Sequence, residues 1–334
     1  MTNKTAIITG ATGQDASYLA ELLLGKGYDV YGLMRRSSTN TKERIDHLLD
    51  HPRFHLIEGD IVDASCMFRI ISGVKPDEVY NLAAQSHVGT SFSEPIATFN
   101  IDAIGPLNIL EAIRQVSPKT KYYQASTSEL FGDVIEIPQS ETTEIKPRSP
   151  YGCAKATAHY LTELYRDAYG IHASAGILFN HSSPRRGENF VTRKITMYVA
   201  KLLRAQQDNK QIDKLKLGNL TARRDWGHAR DYVEAMWLML QQDKPDDFVI
   251  ASGKTWSIKQ LLEAAFGSVG LDWINYVAID DTQLRPAEVP LLIGDASKAK
   301  RVLGWEPKIT FHELIREMVV HDCRQVGVEV PCQD

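Results

Sequence analysis

The chain has 334 residues, 43% of them hydrophobic and 24% charged, with 22 Gly and 14 Pro. Such ordinary values exclude disordered, collagen-like and coiled-coil chains, and at about 150 residues per domain the length is two domains' worth, or one large α/β domain with an annex. Lys and Arg (38) against Asp and Glu (42) leave a net charge of −4, too small to mark a nucleic-acid or anionic-membrane binder, so any anion site must be local. No run of about 18 or more apolar residues appears, and the N-terminus enters a short apolar segment without a signal-peptide layout, so a cytosolic protein is expected. Cys66, Cys153, Cys323 and Cys332 lie far apart with no CxxC pair, which suggests reduced thiols and no zinc site.

Short β-type runs alternate with longer helical stretches over the first 130 residues, the rhythm of a parallel sheet covered by helices. The expected strands are Ala6 to Gly10, Asp29 to Arg35, Phe54 to Asp60, Glu78 to Ala84 and Lys121 to Ser126. Between them, ASYLAELLLGKG and TFNIDAIGPLNILEAIRQV place apolar residues at helical spacing. A helix from Tyr151 to Tyr169 and a strand from Ala173 to Leu178 continue the pattern. From Asn180 to Arg230 the sequence reads as irregular, and substrate contacts are expected there, because loops carry ligand contacts on a rigid scaffold. Two more helices, Ser257 to Val269 and Phe311 to Val326, lie in the last hundred residues. The expected fold class is α/β, a Rossmann-type doubly wound parallel sheet with a smaller α/β C-terminal substrate lobe. Residues 1–179 and 228–255 are assigned to the cofactor half, and 180–227 and 256–334 to the lobe.

The first strand runs into Gly10-Ala11-Thr12-Gly13-Gln14-Asp15-Ala16, a G-x-x-G-x-x-A turn that opens a helix. Its glycines permit a tight turn and let backbone N–H groups reach a pyrophosphate, while a small Ala16 lets the helix pack on the sheet. Gly10, Thr12, Gly13, Gln14 and Asp15 are therefore expected cofactor contacts; glycines after a strand also occur as plain turns. Where an NAD site places an acidic side chain, the second strand ends in Arg35-Arg36-Ser37-Ser38. Two guanidinium groups suit a 2′-phosphate, so NADP is expected, the alternative being a solvated basic turn. Asp60, followed by Ile61, is placed for the adenine amino group, and Leu82, Ala83, Ala84, Gln85 and Ser86 to line the cofactor; structural strand ends are the competing reading.

Tyr151 and Lys155 lie four residues apart on one helical face, so that the ammonium should lower the phenol's pKa and make Tyr151 a base at neutral pH. Thr127 stands 24 residues earlier, after the fifth strand. A glycine turn, a threonine and a YxxxK together resemble the extended short-chain dehydrogenase/reductase superfamily. A plain dehydrogenase has no use for the carboxylate in Ser126-Thr127-Ser128-Glu129. The segment resembles that of sugar-nucleotide 4,6-dehydratases, in which an acid/base at this point removes the C5 proton and assists loss of the C6 hydroxyl; Glu129 has the chemistry for that role, against a local capping role. His47, His51 and His55 have four-residue spacing, but Pro52 interrupts any shared helix, and no metal is expected.

Longer strings, among them YQASTSELFG, PRSPYGCAK, GILFNHSSPRRGENFVTRKIT, LGNLTARRDWGHARDYVEAMWLMLQQD and RPAEVPLLIGDASKAKRVLGW, resemble the GDP-mannose 4,6-dehydratase family over more than nine-tenths of the chain. The resemblance implies C4 oxidation to NADP, elimination of water across C5 and C6 and return of the hydride to C6, with Thr127, Glu129, Tyr151 and Lys155 as the catalytic set. It further implies that Ser86, Thr127, Ser128, Glu129, Asn180, Asn189, Val191, Lys194, Gly218, Arg224, Arg285 and Glu288 meet the GDP-sugar, and that His181 and Arg186 complete the cofactor site. A homodimer through a four-helix bundle is implied, or a homotetramer in which the Arg35 to Arg44 loop reaches a neighbour's cofactor. Ala16 replaces the family's usual glycine at a position that needs only smallness, whereas Ser182 replaces its usual Glu and Pro290 its usual Asp, and these two keep GDP-D-glycero-manno-heptose open as an alternative substrate. A GDP-4-keto-6-deoxyhexose reductase or 4-epimerase, which would not need Glu129, and a non-catalytic NADP-binding sensor are the other readings.

Overall fold

A computed structural model describes residues 3–134, 136–280, 282, 289 and 291–330. The first half runs β1 (Thr5–Thr9), α1 (Gln14–Gly25), β2 (Asp29–Met34), β3 (Phe54–Glu58), α2 (Ala64–Val74), β4 (Glu78–Asn81), α3 (Val88–Ser93) and α4 (Pro95–Phe99). A π-helical segment (Asn100–Ile104) joins α4 to α5 (Gly105–Val116), which leads to β5 (Lys121–Ala125), α6 (Pro150–Tyr169) and β6 (Ala173–Leu178). Then come β7 (Asn180–Ser182), α7 (Val191–Gln207), β8 (Leu215–Leu217), β9 (Arg223–His228), α8 (Ala229–Gln241) and β10 (Phe248–Ile250). The chain continues through β11 (Thr255–Ser257), α9 (Ile258–Gly267), β12 (Val277–Ile279), β13 (Leu291–Leu292), α10 (Ser297–Leu303) and α11 (Phe311–Gln325).

Seven strands form a wholly parallel sheet in the order β10-β6-β5-β4-β1-β2-β3. Side chains alternate across it, as a pleated strand requires. Ala6, Ile8, Tyr80 and Tyr123 enter one core with α1, α8 and α10, while Ile7, Val79 and Tyr122 enter another with α2, α5 and α6. Burial of both faces explains why these strands read as near-continuous apolar runs. A third core joins α7, α9 and α11 through Ile195, Val199, Leu261, Leu262, Leu314 and Met318. There β9 pairs with β7, β11 and β13, and β8 pairs with β12.

The helix that carries the tyrosine has local reasons for its limits. Ser149 Oγ accepts from Gly152 N at 3.0 Å, Pro150 sits in the first turn, and the chain leaves through Gly170 at φ 66°. Capping boxes start α9 (Ser257 with Gln260) and α11 (Thr310 with Glu313), each cap being worth about 1 kcal/mol.

Two expectations need correction. The stretch read as irregular holds the 17-residue α7. Its buried side mixes Thr192, Arg193 and Thr196 with Ile195 and Val199, so the apolar stripe is too interrupted to show in the sequence. In addition, α10 and Trp305, expected in the lobe, pack into the core beneath α8. The helical run Pro95–Val116 is long and apolar enough to span a bilayer, but half of it is buried in the protein.

Candidate active site

The sheet's crevice opens between β1 and β4, whose connections leave in opposite directions. At its floor Thr9 Oγ1 donates to Asn81 Oδ1 at 2.7 Å and accepts from the N–H groups of Leu82 and Ala83 at 3.0 Å each. Gly10 then turns the chain at φ +67°, and a Cβ there would lie 2.9 Å from Ala83 Cα, so only glycine fits. Gly13 N–H closes the turn onto Gly10 O at 2.8 Å, and α1 begins with no side-chain cap on its first N–H groups. A positively polarised helix end above a glycine cradle fits the pyrophosphate of a dinucleotide.

Gln14 and Asp15 spend their side chains on the protein. Gln14 accepts from Ser183 Oγ at 2.9 Å and donates to Asp15 Oδ1 at 2.8 Å, while Asp15 Oδ2 meets His181 Nε2 at 2.8 Å. Burial opposes the ionisation of Asp15, yet His181 and Gln14 hold its carboxyl below the ordinary range. Asp15 with His181, and Gln14 with Ser183, thus fasten β7 and the residue after it to the start of α1. Arg44, at the end of the loop expected to reach a neighbour's cofactor, spans the same gap, donating to Thr12 O at 3.2 Å and Arg185 O at 2.7 Å. Its side chain therefore closes over the cofactor turn of its own chain.

Arg35, Arg36, Ser37 and Ser38 lie exposed beyond β2. Neither arginine side chain has a hydrogen bond or ion pair among the described residues, while Ser37 Oγ accepts from Thr39 N at 3.1 Å. Asp60 follows β3 half-buried with Oδ1 held by Val62 N at 3.0 Å, and Ile61 is buried. Leu82 to Gln85 line the crevice wall and Ser86 is exposed.

At the far end, Thr127 caps a short 3-10 turn of Ser128, Glu129 and Leu130, its Oγ1 accepting from Glu129 N at 3.2 Å. Gly152 lets α6 come close: a Cβ there would stand 2.9 Å from Glu129 O. This approach gathers Thr127, Glu129, Tyr151 and Lys155. Contrary to the expectation of a lowered pKa, the Tyr151 phenol lies above its ordinary value. Burial is the main cause, followed by the Asp102 carboxylate; the hydrogen bond with Thr127 and the charge of Arg186 act the other way. Lys155 Nζ stands 5.9 Å from the Tyr151 ring centre and donates to Ala125 O at 2.8 Å, and burial lowers its own pKa. Arg186 stacks on Phe190 at 3.7 Å and faces both Asp15 and Tyr151, with its Nε buried and unbonded among the described residues.

The expected sugar-nucleotide contacts are spread along the lobe's side of the cleft. Asn180 opens β7 with a buried Oδ1 that lacks a partner among the described residues; Asn189 is exposed, Val191 begins α7, and Gly218 follows β8. Lys194 Nζ donates to Lys216 O at 3.1 Å. Arg224 is buried on β9 and donates to Val289 O at 2.7 Å. Beside it, the fully buried Asp225 collects Ser252 N (2.8 Å), Ser252 Oγ (2.6 Å) and Gly253 N (2.8 Å), and burial pushes its carboxyl up to about 6. Ser182 Oγ is bound to Thr192 Oγ1 at 2.8 Å, a buried link from β7 to α7. Arg285, Glu288 and Pro290 lie outside the described residues.

Two groupings of metal-ligand types resolve into other contacts. His47 pairs with Glu21, His51 accepts from Arg53 N and His55 packs on Tyr31. His159, Glu163 and Asp247 have ligand atoms within 4.8 Å of one another, but Arg166 holds both Asp247 oxygens, at 3.0 and 2.7 Å, and its charge opposes a cation there.

The sequence matches the profile of a family described as GDP-mannose 4,6 dehydratase over residues 7–318. The GDP-mannose 4,6 dehydratase 2 of Arabidopsis thaliana is 54% identical, covering 96% of this chain and 87% of that protein. The human GDP-mannose 4,6 dehydratase is 49% identical over 95% of this chain and 91% of its own. Among solved structures, the UDP-glucose 4-epimerase of Thermotoga maritima with UDP-glucose superposes with a TM-score of 0.85 at 26% identity, covering 97% and 100% of the two chains. A dTDP-glucose 4,6-dehydratase of Streptomyces venezuelae with NAD bound gives 0.86 at 22% identity over 97% and 98%, a likeness of fold.

Proposed function

Because the chain belongs to the GDP-mannose 4,6 dehydratase family, we propose that it converts GDP-mannose to GDP-4-keto-6-deoxymannose with NADP as cofactor, a carbon–oxygen lyase reaction. The observation that carries this reading is the meeting of Thr127, Glu129, Tyr151 and Lys155 at the end of the glycine-turn crevice. The bound nicotinamide would supply a hydride acceptor for C4 oxidation and a donor for C6 reduction. Tyr151 takes the C4 hydroxyl proton, with the Thr127 hydroxyl holding the phenol in line and the Lys155 ammonium offsetting the phenolate charge that burial penalises. Glu129 then removes the C5 proton, acidic beside the C4 ketone, and one of the two protons held by Glu129 and Tyr151 lets the C6 hydroxyl leave as water; the other returns to C5 when the C5–C6 double bond is reduced at C6. The sum is GDP-mannose to product plus one water.

Two exposed arginines after β2, without an ion pair among the described residues and with no carboxylate following the strand in sequence, favour a 2′-phosphate and hence NADP. Buried Arg224 offers a fixed positive charge for the diphosphate. Residues 1–179 with 228–255, together with α10 and Trp305 that pack beneath α8, serve the cofactor, and 180–227 with the rest of 256–334 the sugar nucleotide. Exposed Ile96 and Phe99 on α4, beside exposed Tyr160 and Leu164 on the neighbouring α6, suit a second copy of the chain, so a homodimer or homotetramer in the cytosol is the assembly we infer.

The test is to incubate the purified protein separately with GDP-mannose and GDP-D-glycero-manno-heptose, without added reductant, and weigh the products by mass spectrometry. Loss of one water from GDP-mannose is expected. Loss only from the heptose would move the substrate, and no change in either would leave a cofactor-binding protein without this activity.

A further inference from the structure

The helical run from α4 to α5 carries one acidic side chain on its buried side. Asp102 sits in the π segment, 1% exposed, and single π turns inside α-helices recur at functional sites. Its Oδ1 accepts from Gln85 N at 2.8 Å, in the segment that lines the crevice. Its Oδ2, equally shut from solvent, meets no hydrogen-bond donor among the described residues. A buried carboxylate with an unused oxygen is costly unless a charge compensates it.

The compensating charge is Lys155, since the π segment packs on α6. The ammonium favours the ionised Asp102, and Asp102 in turn favours the protonated Lys155 against the burial that would neutralise it. The groups facing Asp102 are Lys155 and Tyr151 from α6 and the backbone N–H of Gln85; Glu129 and Arg186 act on Tyr151. We propose that Asp102 is a positioning residue whose negative charge keeps Lys155 an ammonium in its buried place and so sets the pH window in which Tyr151 and Lys155 work together. An uncompensated lysine at this depth would shed its proton and stop supporting the phenolate. The same charge repels that phenolate, so both members of the dyad titrate higher than they would without Asp102. This inference rests on the assignment of Tyr151 and Lys155 as the proton-handling pair of the proposed dehydratase.

Asp102→Asn keeps an oxygen for Gln85 N and removes only the charge. Both limbs of its pH–rate profile for GDP-mannose dehydration should move to lower pH by about one unit, because the loss of a negative charge lowers every neighbouring pKa. A carboxylate with a merely structural role would lower the plateau without moving the limbs, and unmoved limbs overturn the proposal. A second measurement needs neither that variant nor turnover: carboxyl titration by NMR of protein labelled with 13C at aspartate carboxyls, in the unmodified protein and in Lys155→Met. Burial brings both Asp102 and Asp225 up to about 6. Losing the ammonium should raise one of these midpoints by about one unit and leave that of Asp225, whose partners are Ser252, Gly253 and Gly294, in place. If neither moves, Asp102 and Lys155 are not coupled and the inference fails, whatever the chain does to GDP-mannose. If one moves while GDP-mannose stays intact, the coupling stands and the dehydratase reading fails.

Discussion

Removing the carboxylate of Asp322 should destabilise the protein and loosen the cofactor cleft, and the two effects can be separated. Asp322 lies buried on α11 and meets the Arg193 guanidinium of α7 at 3.0 Å (Nε) and 2.8 Å (Nη2), with Thr196 Oγ1 donating at 2.6 Å. The remaining nitrogen of Arg193 donates to the carbonyls of Pro184 and Arg186. Asp322→Ala leaves a guanidinium buried without its counter-charge, which costs about 3–5 kcal/mol, or roughly 4–7 °C in Tm for a chain of this size. The double variant Arg193→Met with Asp322→Leu replaces the pair by apolar volume and should recover most of that stability. It still lacks the grip on the segment that places Arg186 before Tyr151, so cofactor affinity and kcat should stay impaired. Urea melts give the first quantity; calorimetric titration with NADP and product formation give the second. A double variant with normal affinity and turnover would refute the positioning argument, and an Asp322→Ala cost below about 1 kcal/mol would refute the electrostatic one.

Three more outcomes are expected. Arg35→Ala should weaken NADP at least tenfold, the loss of a charge-assisted bond of about 1.5–3 kcal/mol, and leave NAD nearly unchanged; equal losses in titration calorimetry would exclude a 2′-phosphate contact. Glu129→Gln should leave C4 oxidation detectable, as a 4-keto hexose trapped with borodeuteride, but cut water loss by on the order of 10²–10⁴; undiminished water loss would remove Glu129 from the elimination. Asp225 is held at about 6 against an ordinary 3.8, so the folded state binds its proton more tightly and the stability this group confers is complete below about pH 4 and lost as pH rises through 6. The cost of Asp225→Ala in urea melts should therefore be larger at pH 4.5 than at pH 7.5, by about 2 kcal/mol, and equal costs would contradict the burial argument.

The doubly wound half was legible because its signals are local. Each strand of that sheet up to β6 carries apolar or aromatic residues at its centre, and Gly10 has a conformational duty that no other residue type fulfils. YxxxK sits on one helix, and family strings carried Thr127 and Glu129 to it. The lobe was less legible because α7 buries Arg193, Thr192 and Thr196 against polar partners, which breaks the stripe that identifies a helix. Tyr151 does lie on one helix with Lys155, but its pKa moves opposite to the expected direction, since a four-residue spacing carries no information on depth and burial raises the phenol. Asp102 left one trace, a carboxylate inside the apolar pattern TFNIDAIG, which such spacing normally reserves for the core. The bridging role of Arg44 left none, because it depends on the loop after β7 folding back across the glycine turn.

Thr9 has a consequence for how the cofactor is kept. Its hydroxyl occupies both N–H groups where β4 runs out and leans on Asn81, so the gap between β1 and β4 is propped apart by the protein itself. Little reorganisation is then left to be done on binding, and binding energy that would otherwise be spent on shaping the groove goes into residence time. A reaction that takes a hydride from one carbon and returns it to the next but one gains from a cofactor that does not exchange between the two events. The threonine at the floor of the crevice thus favours a catalyst purified with its dinucleotide already in place.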